Sequence, residues 1–300
     1  MDLTQKQIEN YKKAGQIAKQ IKALARKITK PGTKISDIAE QLEAKIIELG
    51  GDIAFPVNIS IDDLTAHYTP TLDEETLASG LIKIDIGVSV NGFVADTAIT
   101  LDLTNNNEHK AIIKATEDAL NAAIELVKKN KHKTKLGEIG KVIQQTISDA
   151  GFSPIRNLSG HSLDENIVHA GITIPNYDNG NENEIGKGAF AIEPFATYGV
   201  GLIYEGPPSN DYALIKQGQV RDPNARKILK WIIENKQTLP FSSRELEKEF
   251  GSTTRLALSR LVQAGIVKSY ASFIEKSHKP STQYENTILI YDNTVEVTTE

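Results

Sequence analysis

The sequence has 300 residues, with 34 Lys or Arg against 39 Asp or Glu, a formal net charge of −5 and 39% hydrophobic residues, a composition typical of a globular protein with a sizeable core. Its apolar runs are too short to span a bilayer, and the polar start MDLTQKQIENYKKAG lacks the apolar region of a signal peptide, so we expect a cytoplasmic protein. Because the chain has no cysteine, disulfides and thiolate ligands are excluded, and any metal ion must be held by His, Asp or Glu.

Helical periodicity marks four segments in the first half of the chain. Their apolar positions recur at the spacing of one helix face, and they are Ile8, Tyr11, Ile17, Ile21, Leu24 and Ile28; Ile38, Leu42, Ile46 and Leu49; Ile113, Thr116, Leu120, Ile124 and Val127; and Leu136, Ile139, Ile143 and Ile147. Pro31-Gly32 ends the first helix. Ser36 and Gly50 are the expected N-cap and C-cap of the second helix.

Strands are predicted between and after these helices. Asn91-Gly92 separates two alternating runs, which is the strongest short-range signal for a β-hairpin. The strand-like segments are 81–90, 93–101, 188–193, 200–204 and 284–292. Together with the helices they predict an α+β fold.

Residues 222–280 differ from the rest of the chain in charge and in pattern. They hold eleven Lys or Arg and six Asp or Glu, a net charge of +5, against −10 on the remainder. Within them, 223–268 reads as three short helices followed by an apolar stretch, an order that resembles a winged helix. We therefore predict an inserted, winged-helix-like helical subdomain at 222–280 in a domain formed by 1–221 and 281–300.

The predicted hairpin brings two aspartates together. In a two-residue turn, position 90 pairs with 93 and Asp96 lies opposite Gly87. Asp85 is two residues from Gly87, so the aspartates share a face as diagonal neighbours, roughly 7–8 Å apart at Cα. Like charges at this spacing repel, and a divalent cation would relieve the repulsion. The alternative is an exposed polar face on a hairpin that packs on one side only.

Five further residues stand in distinctive contexts. The histidines are His67 in TAHYTP and His161 and His169 in SGHSLDENIVHAG. Glu193 interrupts an apolar run in GAFAIEPFATYG, where a buried carboxylate needs a partner. Glu285 begins the last predicted strand in TQYENTILIY. Taken singly, each histidine is more often structural or exposed than catalytic.

Four segments in this order resemble the methionine aminopeptidases of the pita-bread metallopeptidase family, and they are KIDIGVSVNGFVADTAIT, GHSLDENIVHAG, AIEPFATYG and QYENTILI. The upstream AHYTP and the basic insert resemble the type 2 branch in its archaeal form. The resemblance covers essentially the whole chain. It implies the pita-bread (creatinase/aminopeptidase) fold and an enzyme that removes the initiator methionine from nascent proteins when the second residue is small.

The resemblance also implies two divalent metal ions per chain. Asp85 would bind one ion, His161 and Glu193 would complete the second, and two carboxylates, Asp96 and Glu285, would bridge both. Such an oxygen-rich set favours Mn, Fe or Co, with Zn as the alternative. A hydroxide that bridges the two ions would attack the peptide.

Catalytic and substrate-binding roles follow from the same resemblance. Glu193 would move protons, and His67 and His169 would contact the substrate, with His169 hydrogen-bonded to the developing oxyanion. Phe55, Val168 and Tyr270 would line a methionine pocket. The expected partner is the N-terminal methionine of nascent polypeptides, bound by a monomer without membrane contact. The basic insert 222–280 is either a wall of that pocket or also a ribosome-binding surface.

Two rival functions remain open at this point. Proline dipeptidases share the fold and the ligand set, but they normally carry an extra N-terminal domain that has no counterpart in this sequence. A pita-bread protein without enzymatic activity could instead bind the ribosome or nucleic acid. Such proteins lose metal ligands, whereas every matched ligand is present here. We therefore expect an enzyme.

Overall fold

The computed structural model describes residues 3–300. Its α-helices are α1 (Gln5–Ile28), α2 (Ile35–Glu48), α3 (Lys110–Asn130), α4 (Leu136–Asp149), α5 (Pro223–Asn235), α6 (Ser243–Phe250) and α7 (Thr254–Gln263). Its strands are β1 (Asp52–Ile61), β2 (Leu64–Ala66), β3 (Leu81–Val90), β4 (Phe93–Asp102), β5 (Ser153–Pro154), β6 (Ser159–Leu163), β7 (Thr173–Pro175), β8 (Gly188–Ile192), β9 (Phe195–Thr197), β10 (Ile203–Leu214), β11 (Phe241–Ser242), β12 (Val267–Glu275), β13 (Ser281–Gln283), β14 (Asn286–Tyr291) and β15 (Thr294–Val297). Short 3-10 helices span Lys131–Lys133 and Gly251–Thr253. Among residues 3–300, no helix is long and apolar enough to cross a membrane.

The four predicted N-terminal helices are present, but one predicted cap is wrong. α2 begins at Ile35, with Lys34 as its N-cap, and Ser36 lies inside the helix. The Ile35 N–H donates to the Thr76 carbonyl (3.0 Å), so a neighbouring segment binds one of the free donors at this helix end. The Ser36 hydroxyl donates instead to the Glu74 carbonyl (3.1 Å). A tertiary contact has replaced the local cap.

The hairpin of β3 and β4 has the predicted register. Asp96 pairs opposite Gly87, and Asp85 pairs opposite Ala98. Asn91 and Gly92 have φ values of +52° and +86°, as a two-residue turn of this kind requires. The opposite face of the hairpin belongs to the core beneath α1 and α2, and its fully buried members include Ile82, Ile84 and Ile86. The face of the hairpin that carries Asp85 and Asp96 therefore points away from α1 and α2.

The strands of residues 3–300 form four antiparallel sheets, one of which contains the hairpin, and together with the helices they confirm the α+β class. Their strand orders are β1-β3-β4, β11-β10-β12-β2, β13-β9-β5 and β15-β14-β8-β6-β7. An isolated bridge between Ala98 and Glu285 joins β4 to the segment before β14. This bridge brings the hairpin beside the five-stranded sheet.

The segment 222–280 contains the three predicted helices, α5 to α7, followed by β12. Its helices share a hydrophobic cluster that includes Ile228, Phe241, Leu246 and Leu261. β12 pairs with both β10 and β2, so the segment is joined to the remainder through a common sheet. The resemblance of this segment to a winged helix and its boundaries at residues 222 and 280 remain predictions.

The C-terminal segment packs closely against α1 at Gly15. A Cβ atom at Gly15 would lie 2.3 Å from the Thr298 carbonyl oxygen. Thr298 N–H in turn donates to the Thr287 carbonyl (2.9 Å), and the Thr287 N–H donates to the Thr299 hydroxyl (3.0 Å). The absence of a side chain at Gly15 therefore lets α1 approach the edge of β14.

We expect Gly15→Ala to lower the free energy of unfolding by about 1–3 kcal/mol, because the new methyl group has no space against Thr298. Helix propensity alone would change it by about 1 kcal/mol in the opposite direction. Urea denaturation followed by circular dichroism measures the difference. Gln16→Ala, at an exposed position of the same helix, is the control. A Gly15→Ala protein more stable than the native one would contradict the close contact.

Candidate metal centre

A single cavity is lined by all ten site residues predicted from the sequence. Its walls come from β-strands on both sides of the hairpin, and its lining residues are Phe55, Asn58, His67, Asp85, Asp96, His161, Val168, His169, Glu193, Asp211, Pro240, Tyr270 and Glu285. Asn58, Asp211 and Pro240 are the three that the sequence did not suggest.

The acidic side chains reach the cavity from three places in the fold. Asp85 and Asp96 stand on β3 and β4. Glu193 directly follows β8, and Glu285 directly precedes β14. Glu285 is fixed by paired backbone hydrogen bonds with Ala98, at 3.3 and 3.1 Å. The sheets thus bring together carboxylates that are up to 200 positions apart in the sequence.

Imidazole and carboxylate atoms converge at the centre of the cavity. Asp96, His161 and Glu285 each offer a ligand atom, and these atoms lie within 4.8 Å of one another. His161 Nε2 is 3.7 Å from Asp96 Oδ2 and 3.5 Å from Glu193 Oε1. This spacing allows the side chains to bind a common cation.

Few protein groups compensate the acidic charge. Gln283 Nε2 donates to Asp85 Oδ2 (3.0 Å) and to Glu285 Oε2 (3.5 Å). Within the described residues, Asp85 Oδ1, Asp96 Oδ1 and Glu285 Oε1 are buried and accept no hydrogen bond. A buried carboxylate oxygen without a partner is costly, so a ligand from outside the chain is needed.

The pKa values show the same conflict. Burial raises the pKa of Asp85 to about 6, and burial together with the charge of Asp85 raises the pKa values of Asp96 and Glu193 well above their usual range. Burial, followed by the charge of Asp96, raises that of Glu285 likewise. Burial, with a smaller effect of His169, lowers the pKa of His161 to about 3, so its imidazole is neutral and free to act as a ligand. Unpartnered carboxylate oxygens and a neutral imidazole fit a divalent cation.

Two other histidines stand beside the acidic cluster. The His169 ring lies 4.4 Å from the His161 ring, between centroids. The His67 ring lies 4.4 Å from that of Phe273 and 6.4 Å from that of Tyr270, both on β12. Burial is the main reason that the pKa of His67 is lowered to about 4. β12 therefore supplies an aromatic wall against a neutral histidine.

Phe55 and Gly87 share the opposite wall. A Cβ atom at Gly87 would lie 2.3 Å from the Phe55 ring, so only glycine leaves the ring in its place. Val168 is also buried here, and the three apolar residues predicted for the pocket, Phe55, Val168 and Tyr270, all line the same cavity. The cavity thus combines an acidic floor with apolar sides.

Asn58 and Asp211 form a polar pair that sequence reasoning missed. Asn58 pairs opposite Asp85 between β1 and β3, and its Nδ2 donates to Asp211 Oδ2 (3.1 Å). Burial raises the pKa of Asp211 well above its usual range. A polar residue in the strand FPVNISI is a usable signal for Asn58, whereas the flanking sequence of Asp211 contains none.

Comparison with known families and relatives gives a consistent result. The model of metallopeptidase family M24 matches residues 9–234. A methionine aminopeptidase of Methanocaldococcus jannaschii is 42% identical over 98% of this chain and 100% of its own length. A methionine aminopeptidase of Pyrococcus abyssi is 40% identical over 98% of this chain and 99% of its own length.

Solved structures share the fold. A thermophilic Arx1 superposes with a TM-score of 0.81 at 19% identity, over 99% of this chain and 91% of that chain. A methionine aminopeptidase from Thermotoga maritima superposes with a TM-score of 0.71 at 21% identity, over 100% of this chain and 99% of that chain. A prolidase from Pyrococcus furiosus gives 0.63 at 16% identity, over 100% of this chain but 65% of its own. At these identities the likeness establishes the fold and nothing finer.

We expect Mn²⁺ to raise the melting temperature more at pH 7.5 than at pH 5. In the metal-free protein the folded-state pKa of Asp85 is about 6, against an ordinary value of 3.8. Its protonated form thus contributes stability that is complete below pH 3.8 and is lost as the pH rises through about 6. A bound cation offsets that loss, by about 2.7 kcal/mol when its concentration is 100 times Kd.

Thermal denaturation with and without Mn²⁺ at the two pH values measures this effect. Because the melting temperatures with and without Mn²⁺ are compared at the same pH, the titration of groups remote from the cation contributes equally to both and cancels. Asp96→Asn is the control, because it removes one of the interacting charges and a ligand atom, and it should reduce the gain at pH 7.5. A gain that is absent or independent of pH would count against a metal at this cluster.

Proposed function

The chain belongs to metallopeptidase family M24, and we propose that it is a methionine aminopeptidase that removes the initiator methionine from nascent proteins. The observation that carries the proposal is the cavity in which ligand atoms of Asp96, His161 and Glu285 lie within 4.8 Å of one another beside an apolar wall. Relatives of about 40% identity over nearly the whole chain support the choice of substrate.

The proposed metal arrangement gives each residue the role that the resemblance to the family implies. Asp85 would hold one divalent ion, and His161 and Glu193 would complete the site of a second. Asp96 and Glu285, which are the most deeply buried carboxylates of the cluster, would bridge the two. Mn, Fe or Co suits this oxygen-rich set best, with Zn as the alternative. When bound, such a pair supplies a hydroxide nucleophile at neutral pH and polarises the scissile carbonyl.

The remaining work falls to the side chains of the cavity. Glu193 would accept a proton from the attacking water and pass it to the leaving amine, because burial raises its pKa well above its usual range. Neutral His169 would donate its ring N–H to the oxyanion that develops on the substrate carbonyl. His67 would contact the substrate from the β2 side. Phe55, Val168 and Tyr270 would enclose the methionine side chain.

Two finer assignments rest on resemblance. The segment AHYTP and the inserted helices suggest the type 2 branch of the family. The requirement for a small second residue follows from the same likeness. Both are part of the proposal.

The deciding experiment compares peptides on the Mn²⁺-loaded protein. We expect hydrolysis of Met-Ala-Ser, much slower hydrolysis of Met-Trp-Ser, and none of Ala-Pro dipeptide. Preference for the Xaa-Pro bond would favour a proline dipeptidase instead.

The same assay separates the proposed roles when metal content is measured in parallel. Asp96→Ala and Glu285→Ala should lose metal and activity together, because both carboxylates would bridge. His169→Ala should keep its metal but lose rate, by roughly 2.7–4 kcal/mol in activation free energy if it stabilises the oxyanion. Equal metal loss in all three variants would overturn this division of roles.

A second candidate role concerns the inserted segment 222–280. Arg226 and Lys230 are exposed on α5 and line the same surface groove. Lys230 Nζ lies 3.8 Å from Glu234 Oε1 on the same exposed helix face, and ion pairs of this kind are weak. Arg255, by contrast, is held by two carboxylates, Asp73 and Glu247. Together with the net charge of +5, the α5 cations support a ribosome contact in addition to the wall that Tyr270 provides.

If this contact exists, reversal of charge with Arg226→Glu and Lys230→Glu should weaken association with ribosomes without changing cleavage of Met-Ala-Ser. Each lost phosphate contact should also reduce the logarithmic salt slope by about 0.7–0.9. Sedimentation with ribosomes at several salt concentrations measures both. Lys129→Glu and Lys141→Glu, on exposed positions of α3 and α4, give the same change in charge as a control. No association at low salt would leave only the structural role.

A further inference from the structure

Lys22 inserts its ammonium group behind the candidate metal centre. It lies on α1, and its Nζ donates to Asn286 Oδ1 (2.8 Å) and to Thr97 Oγ1 (3.1 Å). Thr97 is fully buried and Asn286 is 7% exposed. A long, flexible side chain is therefore held at two acceptors in the interior.

Both acceptors are direct neighbours of proposed bridging ligands. Thr97 follows Asp96 on β4, and Asn286 follows Glu285 at the start of β14. Thr97 Oγ1 also donates to the Glu285 carbonyl (2.7 Å). The Thr97 hydroxyl therefore connects β4, which carries Asp96, to Glu285, which directly precedes β14.

The C-terminal segment completes this connection. Thr299 Oγ1 donates to Asn286 Oδ1 (2.9 Å), so the acceptor of Lys22 is fixed from a second direction. Because side chains alternate along a strand, Thr97 faces away from the cavity that Asp96 enters. Lys22 consequently acts from the far side of β4 and cannot contact a substrate.

We propose that Lys22 is a positioning residue for the metal centre, because it fixes the relative placement of Asp96 and Glu285 through Thr97 and Asn286. This inference rests on the proposed function, in which both carboxylates bind metal. Groups that orient the ligands of a metal commonly change its affinity by 10–100-fold when they are removed. The ammonium charge repels a cation but attracts the carboxylates that hold it, so the charge alone has opposing effects. Loss of the two hydrogen bonds can only weaken the binding of the metal, because it frees Thr97 and Asn286 to move.

The test uses the full-length protein and Co²⁺, whose visible absorption spectrum reports its coordination geometry. Lys22→Met keeps the length of the side chain and removes its donors, so we expect Co²⁺ affinity to fall by about 10–100-fold and the spectrum to change. Lys22→Arg keeps charge and donors and should restore most of the affinity. Lys19→Met is the matched control, because Lys19 is exposed and lines the same outer groove without these contacts.

The outcomes separate positioning from packing. If Lys22 only anchors α1, Lys22→Met lowers the melting temperature of the metal-free protein but leaves Co²⁺ affinity and spectrum unchanged, and the inference fails. Tighter Co²⁺ binding would also overturn it, since charge repulsion would then dominate. If Lys22→Met does not fold, Thr97→Val tests the same connection and should show the same loss of affinity. If the native protein binds no Co²⁺, the proposed metal centre itself is wrong.

Discussion

The mutual repulsion of four buried carboxylates is the constraint on which the rest of this structure depends. Asp85, Asp96, Glu193 and Glu285 share one cavity, and Gln283 compensates two of them with single hydrogen bonds. In water these groups would separate, so the surrounding strands must hold them together. Because a bound cation would relieve this repulsion, the relief would contribute favourably to the free energy of cation binding.

The strands achieve this through threonines on β4 that bind the segment before β14. Thr100 Oγ1 donates to the Gln283 carbonyl (2.7 Å), and Thr97 Oγ1 donates to the Glu285 carbonyl (2.7 Å). Further along, the Asp96 N–H donates to Thr287 Oγ1 (2.8 Å). Thr97 lies on the face of β4 opposite Asp96, whereas Thr100 lies on the same face as Asp96, so these contacts fix the spacing of the carboxylates from both faces of the strand. Stability of the fold and geometry of the site are therefore coupled.

Sequence reasoning succeeded where local rules apply. The turn at Asn91-Gly92 sets the hairpin register, and alternation then puts Asp85 and Asp96 on one face, without any tertiary information. The cap predicted at Ser36 was wrong because a distant segment satisfies the helix end. Asp211 was missed because its burial depends on strands that are remote in the sequence. Ten of the thirteen cavity residues were assigned to one site by resemblance to a family, since no spacing rule links positions 85 and 285.

Anomalous diffraction from crystals grown with Mn²⁺ would show directly whether the carboxylates bind two metal ions. We expect two peaks, roughly 3.5–4 Å apart, inside the cavity. Asp96 and Glu285 should lie between the peaks, and His161 should contact only one of them. A single peak, or metal bound away from these carboxylates, would contradict the two-ion arrangement. An empty cavity at saturating Mn²⁺ would contradict the metal centre altogether.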